Sequence, residues 1–193
     1  MTSYGLTSTQ TVGPFFYDCL LRADAQRNTL VTPSTAGERI RIEGRVTDGD
    51  GQPVPDAMIE IWQANAHGRY NHPADRRDLP LDPDFTGFGR SATDEEGRFW
   101  FETVKPGRVP FDETTAQAPH INVAVFARGL LNHLLTRLYF ADEAANADDP
   151  VLRCVPAERR DTLVAQRSEA NGMVMYRFDI VLQGAGETVF FNL

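Results

Sequence analysis

The sequence is poor in cysteine, with only Cys19 and Cys154 among 193 residues. The two follow neither a metal-binding nor a redox spacing, which argues against a disulfide framework or a zinc–thiolate site and leaves free thiols in a reducing cytoplasm as the expectation. No run of about 18 apolar residues occurs, and the opening stretch MTSYGLTSTQTVGPFF has neither a basic n-region nor a long apolar core. A soluble, cytoplasmic protein is expected. Basic clusters are also missing: 27 acidic residues stand against 19 basic ones, a formal charge of -8, which argues against nucleic acid and anionic membranes as partners. An anionic small ligand would need a specific local arginine. There is no phosphate-binding glycine loop, dinucleotide fingerprint or G-x-S-x-G elbow. Internal repeats and low-complexity tracts are absent as well.

What the sequence does contain is period-two alternation. Glu38 to Asp48 sets Ile40, Ile42 and Val46 against charged neighbours, the pattern of a half-buried strand. A turn follows in TDGDGQPVPDA, then a second strand in AMIEIWQA. Gly97 precedes another alternating run, RFWFETV. HINVAVFARG and HLLTRLYF read as a strand pair joined through GLLN, and GMVMYRFDIVLQG reads as one long closing strand. Helical signal is confined mainly to Pro156 through Arg167, with Pro156 at a first-turn position. Many short strands and one late helix predict an all-β, antiparallel β-sandwich over residues 38–193. Residues 1–37 are polar and turn-rich, with one apolar knot at GPFF, and read as an arm lying over the sandwich or over a partner. At this length about 70% of the unfolded chain's surface can be buried, so the fold needs no metal or disulfide.

Individual residues say less. DGDG at Asp48 to Gly51 spaces its acids like a calcium loop, but the sixth position is Pro53 where glycine is required and the twelfth is Ile59 where glutamate is required. A hairpin turn is the better reading. His67 and His72 lie five apart with no third ligand at a suitable spacing, and are expected on the surface. Tyr70 reads as a buried tyrosine with a bonded hydroxyl. His120 stands alone, two residues before Asn122 on the same face of a strand. Composition and spacing leave the function open.

The longer motifs carry more. The runs EIWQANAHGRY (Glu60 to Tyr70) and PDFTGFGRSATDEEGRFWFETVKPG (Pro83 to Gly107), followed by PHIN and LTRLYF, resemble the intradiol ring-cleaving dioxygenases over residues 38–145. Those enzymes open catechol-type rings between the two hydroxyls with O2 and non-haem Fe(III). In their catalytic chains two tyrosines and two histidines hold the iron. The resemblance puts the first tyrosine at Tyr70 and the second at Val109, while the H-x-H pair reads His120, Ile121, Asn122. An arginine three residues before the first histidine is replaced by Gln117. Two of four ligands and a supporting cation are therefore missing, since valine has no donor and neutral asparagine is a poor ligand for a transition metal. His120 and Tyr70 are then expected to hydrogen-bond inside a filled pocket.

The stretches TVGPFF near the start and YRFDIVLQGAGETVFF near the end resemble the iron-free chain of the family's two-chain members. This resemblance implies a homologous iron-bearing beta chain as partner, Fe(III) held by that partner and not by this chain alone, and an aromatic carboxylate with O2 as substrates. It also implies that Thr11, Gly13, Pro14 and Arg128 line the mouth of the partner's active site, with Arg128 on the substrate carboxylate. Two other readings remain open at this point: an iron enzyme with different ligands, and a transthyretin-like binding or scaffold module with no role in ring cleavage.

Overall fold

The computed structural model describes residues 11–13, 15–170 and 172–192. Nine strands dominate: β1 (Arg39–Thr47), β2 (Met58–Trp62), β3 (Phe88–Ala92), β4 (Arg98–Val104), β5 (His120–Phe126), β6 (Leu134–Phe140), β7 (Val164–Ala170), β8 (Met173–Arg177) and β9 (Ile180–Val181). They follow one hydrogen-bonded path, β3-β2-β5-β6-β7-β8-β1-β4, with β9 beside β1. The two ends of the path, β3 and β4, are consecutive in sequence and touch each other, so the sheet nearly closes on itself. No helix among the described residues is long and apolar enough to cross a membrane.

The alternation seen in the sequence becomes the core. On β1 every second residue is buried, and Ile40, Ile42 and Val46 pack with Ile59 and Ile61 of β2, Phe99 and Phe101 of β4, and Ile121, Val123 and Val125 of β5. Apolar burial of this kind supplies about 25 cal/mol per Å² removed from water and is what holds the wall shut. Turns are made by aspartates. Asp48 Oδ1 accepts from the amides of Asp50 and Gln52, and Asp94 Oδ1 accepts from those of Glu96 and Arg98. The DGDG stretch is thus a hairpin turn whose carboxylate is already committed to backbone.

Three expectations need correction. The sheet is not a plain antiparallel sandwich: β1 runs parallel to β8 and β9, β6 runs parallel to β7, and the barrel-like path joins what would have been two layers. The helix expected over 156–167 does not form. The α-helix is α1, Pro150–Cys154, residues 157–163 make a 3-10 turn, and β7 begins at Val164. Asp149 decides this, because its side chain caps the amides of Val151 and Leu152 and fixes Pro150, not Pro156, in the first turn. Leu163 and Ala165, both fully buried, alternate as a strand alternates. The closing strand, finally, is two. Its pairing register with β1 carries over from β8 to β9, but at the break Arg45 donates its amide to the Asp179 carboxylate instead of to backbone. Gly44 is required there, since a Cβ would lie 1.8 Å from the Phe178 carbonyl oxygen.

The described part of the arm crosses β3 and β4. Arg27 bridges to Arg90, Thr29 bridges to Glu102, and Leu30 enters the core. Behind β6 a second apolar cluster joins Ala118, Tyr139, Leu152, Val155 and Leu163. Asp149 lies at its centre, fully buried. Its Oδ1 accepts from Tyr139 Oη at 3.0 Å and from the Val151 and Leu152 amides, and its Oδ2 accepts from the Ala118 amide at 2.7 Å.

Asp149→Ala should therefore cost more than a lost cap. It also strands a buried amide and a buried hydroxyl, at about 1–3 kcal/mol each beyond the cap's roughly 1 kcal/mol. Tyr139→Phe, which removes one donor of four, should cost only about 1 kcal/mol. Urea unfolding of the two variants checks the contrast. Equal losses would show that the carboxylate is not the organising group.

Candidate functional site

Two loops cross above one end of the β2–β5 pair. The loop after β2 carries Tyr70, and the loop before β5 carries Val109 and Gln117. At the crossing the backbones touch: a Cβ on Gly68 would lie 2.0 Å from the Arg108 carbonyl oxygen, and one on Gly107 would lie 2.5 Å from the Gly68 nitrogen. Gly68 also has φ +78°, so no side chain is tolerated there on either ground. The glycines of the GRY and KPG motifs are the contact itself. Asn65 braces it, with Oδ1 accepting from the His67 and Arg69 amides and its carbonyl accepting from Gly107 N. Gln63, fully buried, accepts from Thr103 Oγ1 and donates to the Val104 carbonyl, tying the end of β2 to β4.

Below the crossing is a cavity of about 750 Å³, lined among others by Trp62, Tyr70, Val109, Gln117, His120, Asn122 and Arg137. The five positions that the motifs singled out as ligand or ligand-support positions thus gather in one place. Tyr70 stacks on Trp62 with ring centroids 5.7 Å apart, and its hydroxyl is 3.5 Å from Asn122 Nδ2. Burial raises the Tyr70 pKa above the ordinary phenol value, although nearby Arg137 opposes this. The phenol is thus neutral at neutral pH. Asp75 accepts from the Tyr70 amide and pairs with Arg77, and that hydrogen bond holds its carboxyl well below the usual range. Arg77 in turn donates to the Gly68 carbonyl and closes the loop on itself.

His120, only 3% exposed, places Nδ1 2.8 Å from the Ala118 carbonyl oxygen. A carbonyl can only accept, so the proton is on Nδ1 and Nε2 presents a lone pair. That lone pair has no hydrogen-bond partner. Burial, with Arg137 nearby, pushes the imidazole pKa down to about 4. The expectation of a filled, fully bonded pocket is corrected on both counts: the space is open, and His120 bonds to backbone, not to Tyr70.

Arg137 was not singled out by any motif. It sits on β6 opposite Asn122, and its Nη1 donates to Gln117 Oε1 at 2.7 Å. A cation thus reaches Gln117 from β6. Single-residue reading had no signal for it, because only the strand register brings positions 117 and 137 together.

Ferric iron does not fit these donors. One phenol oxygen and one imidazole nitrogen face the cavity, Val109 offers nothing, and Asn122 Nδ2 points at Tyr70 and the Trp62 carbonyl. Among the described residues no group of three or more His, Cys, Asp or Glu side chains could hold a metal ion. His67 and His72 are exposed, and both cysteines are free and exposed.

The arm residues lie elsewhere. Thr11 Oγ1 accepts from the Gly129 amide at 3.4 Å, beside Arg128, whose guanidinium is 3.1 Å from Asp56 and 71% exposed in its side chain. Gly13 is exposed, and Pro14 lies outside the described residues. This group stands just past the far end of β5 from His120. Asn122 and Arg128 are six residues apart, roughly 20 Å along an extended chain.

Comparison with known proteins places this geometry. Residues 12–184 match the dioxygenase family. The protocatechuate 3,4-dioxygenase alpha chain of Burkholderia cepacia is 50% identical over 204 residues, covering all of both chains. That of Pseudomonas putida is 44% identical, covering 96% of each chain. The protocatechuate 3,4-dioxygenase beta chain of Burkholderia cepacia is 41% identical over 86% of this chain and 73% of its own. Among solved structures, the dioxygenase domain of a dioxygenase carbohydrate-binding protein fusion from Streptomyces sp. SirexAA-E is 28% identical with a TM-score of 0.64, covering 91% of this chain and 97% of that one.

The buried neutral imidazole has a thermodynamic signature. The folded-state pKa is below the unfolded value of 6.5, so between about pH 6.5 and pH 4 the unfolded chain binds a proton that the folded chain refuses. Stability falls as pH falls through that window, by roughly 3 kcal/mol for this one group. The unfolding free energy of the wild type should fall relative to that of His120→Leu by about that amount between pH 7 and pH 4, since the carboxylates common to both cancel. A pH-independent difference would show that His120 titrates alike in both states.

Proposed function

The chain belongs to the intradiol ring-cleavage dioxygenase family, and we propose that it is the subunit without iron in a two-chain dioxygenase. The reaction is cleavage of 3,4-dihydroxybenzoate with O2 to 3-carboxy-cis,cis-muconate, a step of β-ketoadipate aromatic catabolism. The observation that carries this reading is similarity along the whole chain to alpha chains of protocatechuate 3,4-dioxygenase, greater than to a beta chain of the same organism. The donor set agrees with it. A hard ferric ion needs several anionic oxygen and imidazole donors, and the cavity of this chain lacks them. The homologous beta chain holds the Fe(III) in this reading, and the isolated chain is inactive.

Thr11, Gly13, Pro14 and Arg128 then serve the partner's active site from outside. Several features support this. Thr11 ties the arm to the turn that carries Arg128. Phe15 and Leu131, 75% and 61% exposed, flank the same region, and apolar surface of that kind suits a partner. The Arg128–Asp56 pair is highly exposed and weakly held, so the guanidinium can turn to an incoming carboxylate at little cost. In an acidic protein such a cation is the group that distinguishes a dihydroxybenzoate from catechol.

Co-expression with a beta-type chain tests the reading: about one ferric ion per partner chain and oxygen uptake with 3,4-dihydroxybenzoate are expected of the complex, and neither of this chain alone. Tight stoichiometric iron in the lone chain would overturn it. In the complex, Arg128→Ala should lower kcat/KM for the carboxylated substrate on the order of thirtyfold, with iron content unchanged and the slow turnover of catechol unaffected. Equal losses on both substrates would remove carboxylate recognition as the role of Arg128.

A further inference from the structure

The cavity beneath the crossing loops is not explained by a subunit that merely lends residues to a neighbour. Its volume falls in the range of small-molecule sites, about 300–1,000 Å³, and its chemistry is selective. Arg76, Arg77 and Arg137 line it against a single carboxylate, Asp75, which is already paired with Arg77. A chain with a net charge of -8 has therefore made one concave surface positive. Arg137 has no carboxylate within ion-pair distance among the described residues; it donates to Gln117 and lies beside the Tyr139 hydroxyl, which leaves part of its five-donor fork for a ligand. The buried Nε2 of His120 is an acceptor waiting for a donor. His120 and Arg137 are diagonal neighbours on paired strands and share a face, about 7 Å apart in backbone. Between them, the stacked rings of Trp62 and Tyr70 form one wall, and Val109 and Pro110 add apolar surface.

A cation is disfavoured here by the guanidinium, and a purely apolar guest would leave both polar groups without partners. We propose that this cavity is a metal-free binding site for a small planar acid that also carries a hydroxyl, of the hydroxybenzoate class, with its acidic oxygen on Arg137 and its hydroxyl donating to His120 Nε2. Tyr70 and Asn122, held together only at 3.5 Å, have hydrogen-bonding capacity left for a second substituent. No bond is made or broken at this site. It is a place where the chain holds a ligand, separate from any iron-bearing site in a partner, and it stands whether or not the partnership above is correct.

The test uses the purified chain, in complex if it purifies so, with 3-iodo-4-hydroxybenzoate as the crystallographic probe. An anomalous iodine peak in this cavity is expected, at one site per copy of this chain and additional to any at a partner's iron. In solution, anaerobic equilibrium dialysis with 4-hydroxybenzoate, benzoate and phenol separates the two contacts. Arg137→Gln should weaken both acids at this site at least tenfold and leave phenol unchanged. His120→Leu should weaken the two hydroxylated probes and leave benzoate unchanged. Should a variant misfold, the histidine ¹⁵N spectrum of the wild type decides alone: 4-hydroxybenzoate must shift the His120 Nε2 resonance. No iodine peak at saturating probe with an unmoved Nε2 resonance, or equal binding by wild type and both folded variants, would overturn the proposal and leave the cavity to solvent. Loss of iron from either variant would count against the proposed function, because it would make this cavity a metal site.

Discussion

One buried carboxylate organises the half of the molecule that matters here. Asp149 gathers donors from three separate places, the α1 amides, the Tyr139 hydroxyl on β6 and the Ala118 amide at the entrance to β5. Ala118 passes the constraint on, because its carbonyl takes the Nδ1 proton of His120. The tautomer of His120, and with it the orientation of the lone pair in the cavity, therefore depends on an aspartate in the next layer. Coupled buried hydrogen bonds of this kind rigidify what they touch.

Much of the wall was legible in the chain. β1, β4 and β5 follow from period-two alternation, because each has one face on the core, and β2 and β6 read as short apolar runs. β3 was not, since Phe88 to Ala92 contains three small residues and an arginine where a strand usually shows β-branched bulk. β7 was hidden for a related reason: beyond Ala165 its residues are exposed, so only pairing to β8 makes it a strand. Parallel pairing leaves no mark on a single sequence at all. At the site, the motifs located Tyr70, Val109, Gln117, His120 and Asn122 as neighbours. They could not show that Arg137 joins them, because that is a fact of register between β5 and β6.

The β2–β5 pair separates two kinds of chemistry by the length of one strand. At the His120 end the side chains line an open, arginine-bearing cavity and are shaped by two glycines that let backbones touch. At the Arg128 end they are exposed, charged and flanked by apolar surface. A concave site suits a ligand held by this chain alone, and an exposed one suits a surface completed by another. The same short sheet positions both, so changes in one need not disturb the other.

The parallel pairing of β1 with β8 and β9 also sets the order in which the protein can be made. On a ribosome, β1 can pair with β4 only after residues 48–97 between them have been made. Its other edge must wait until residues 173–181 emerge, well over a hundred residues after β1 itself. At synthesis rates of about 5–20 residues per second this is a delay on the order of ten seconds. Through that interval an unpaired strand edge beside Ile40 and Ile42 faces solvent, open to any other extended segment. Nascent chains of this fold should be customers for chaperones until the last strands close the wall.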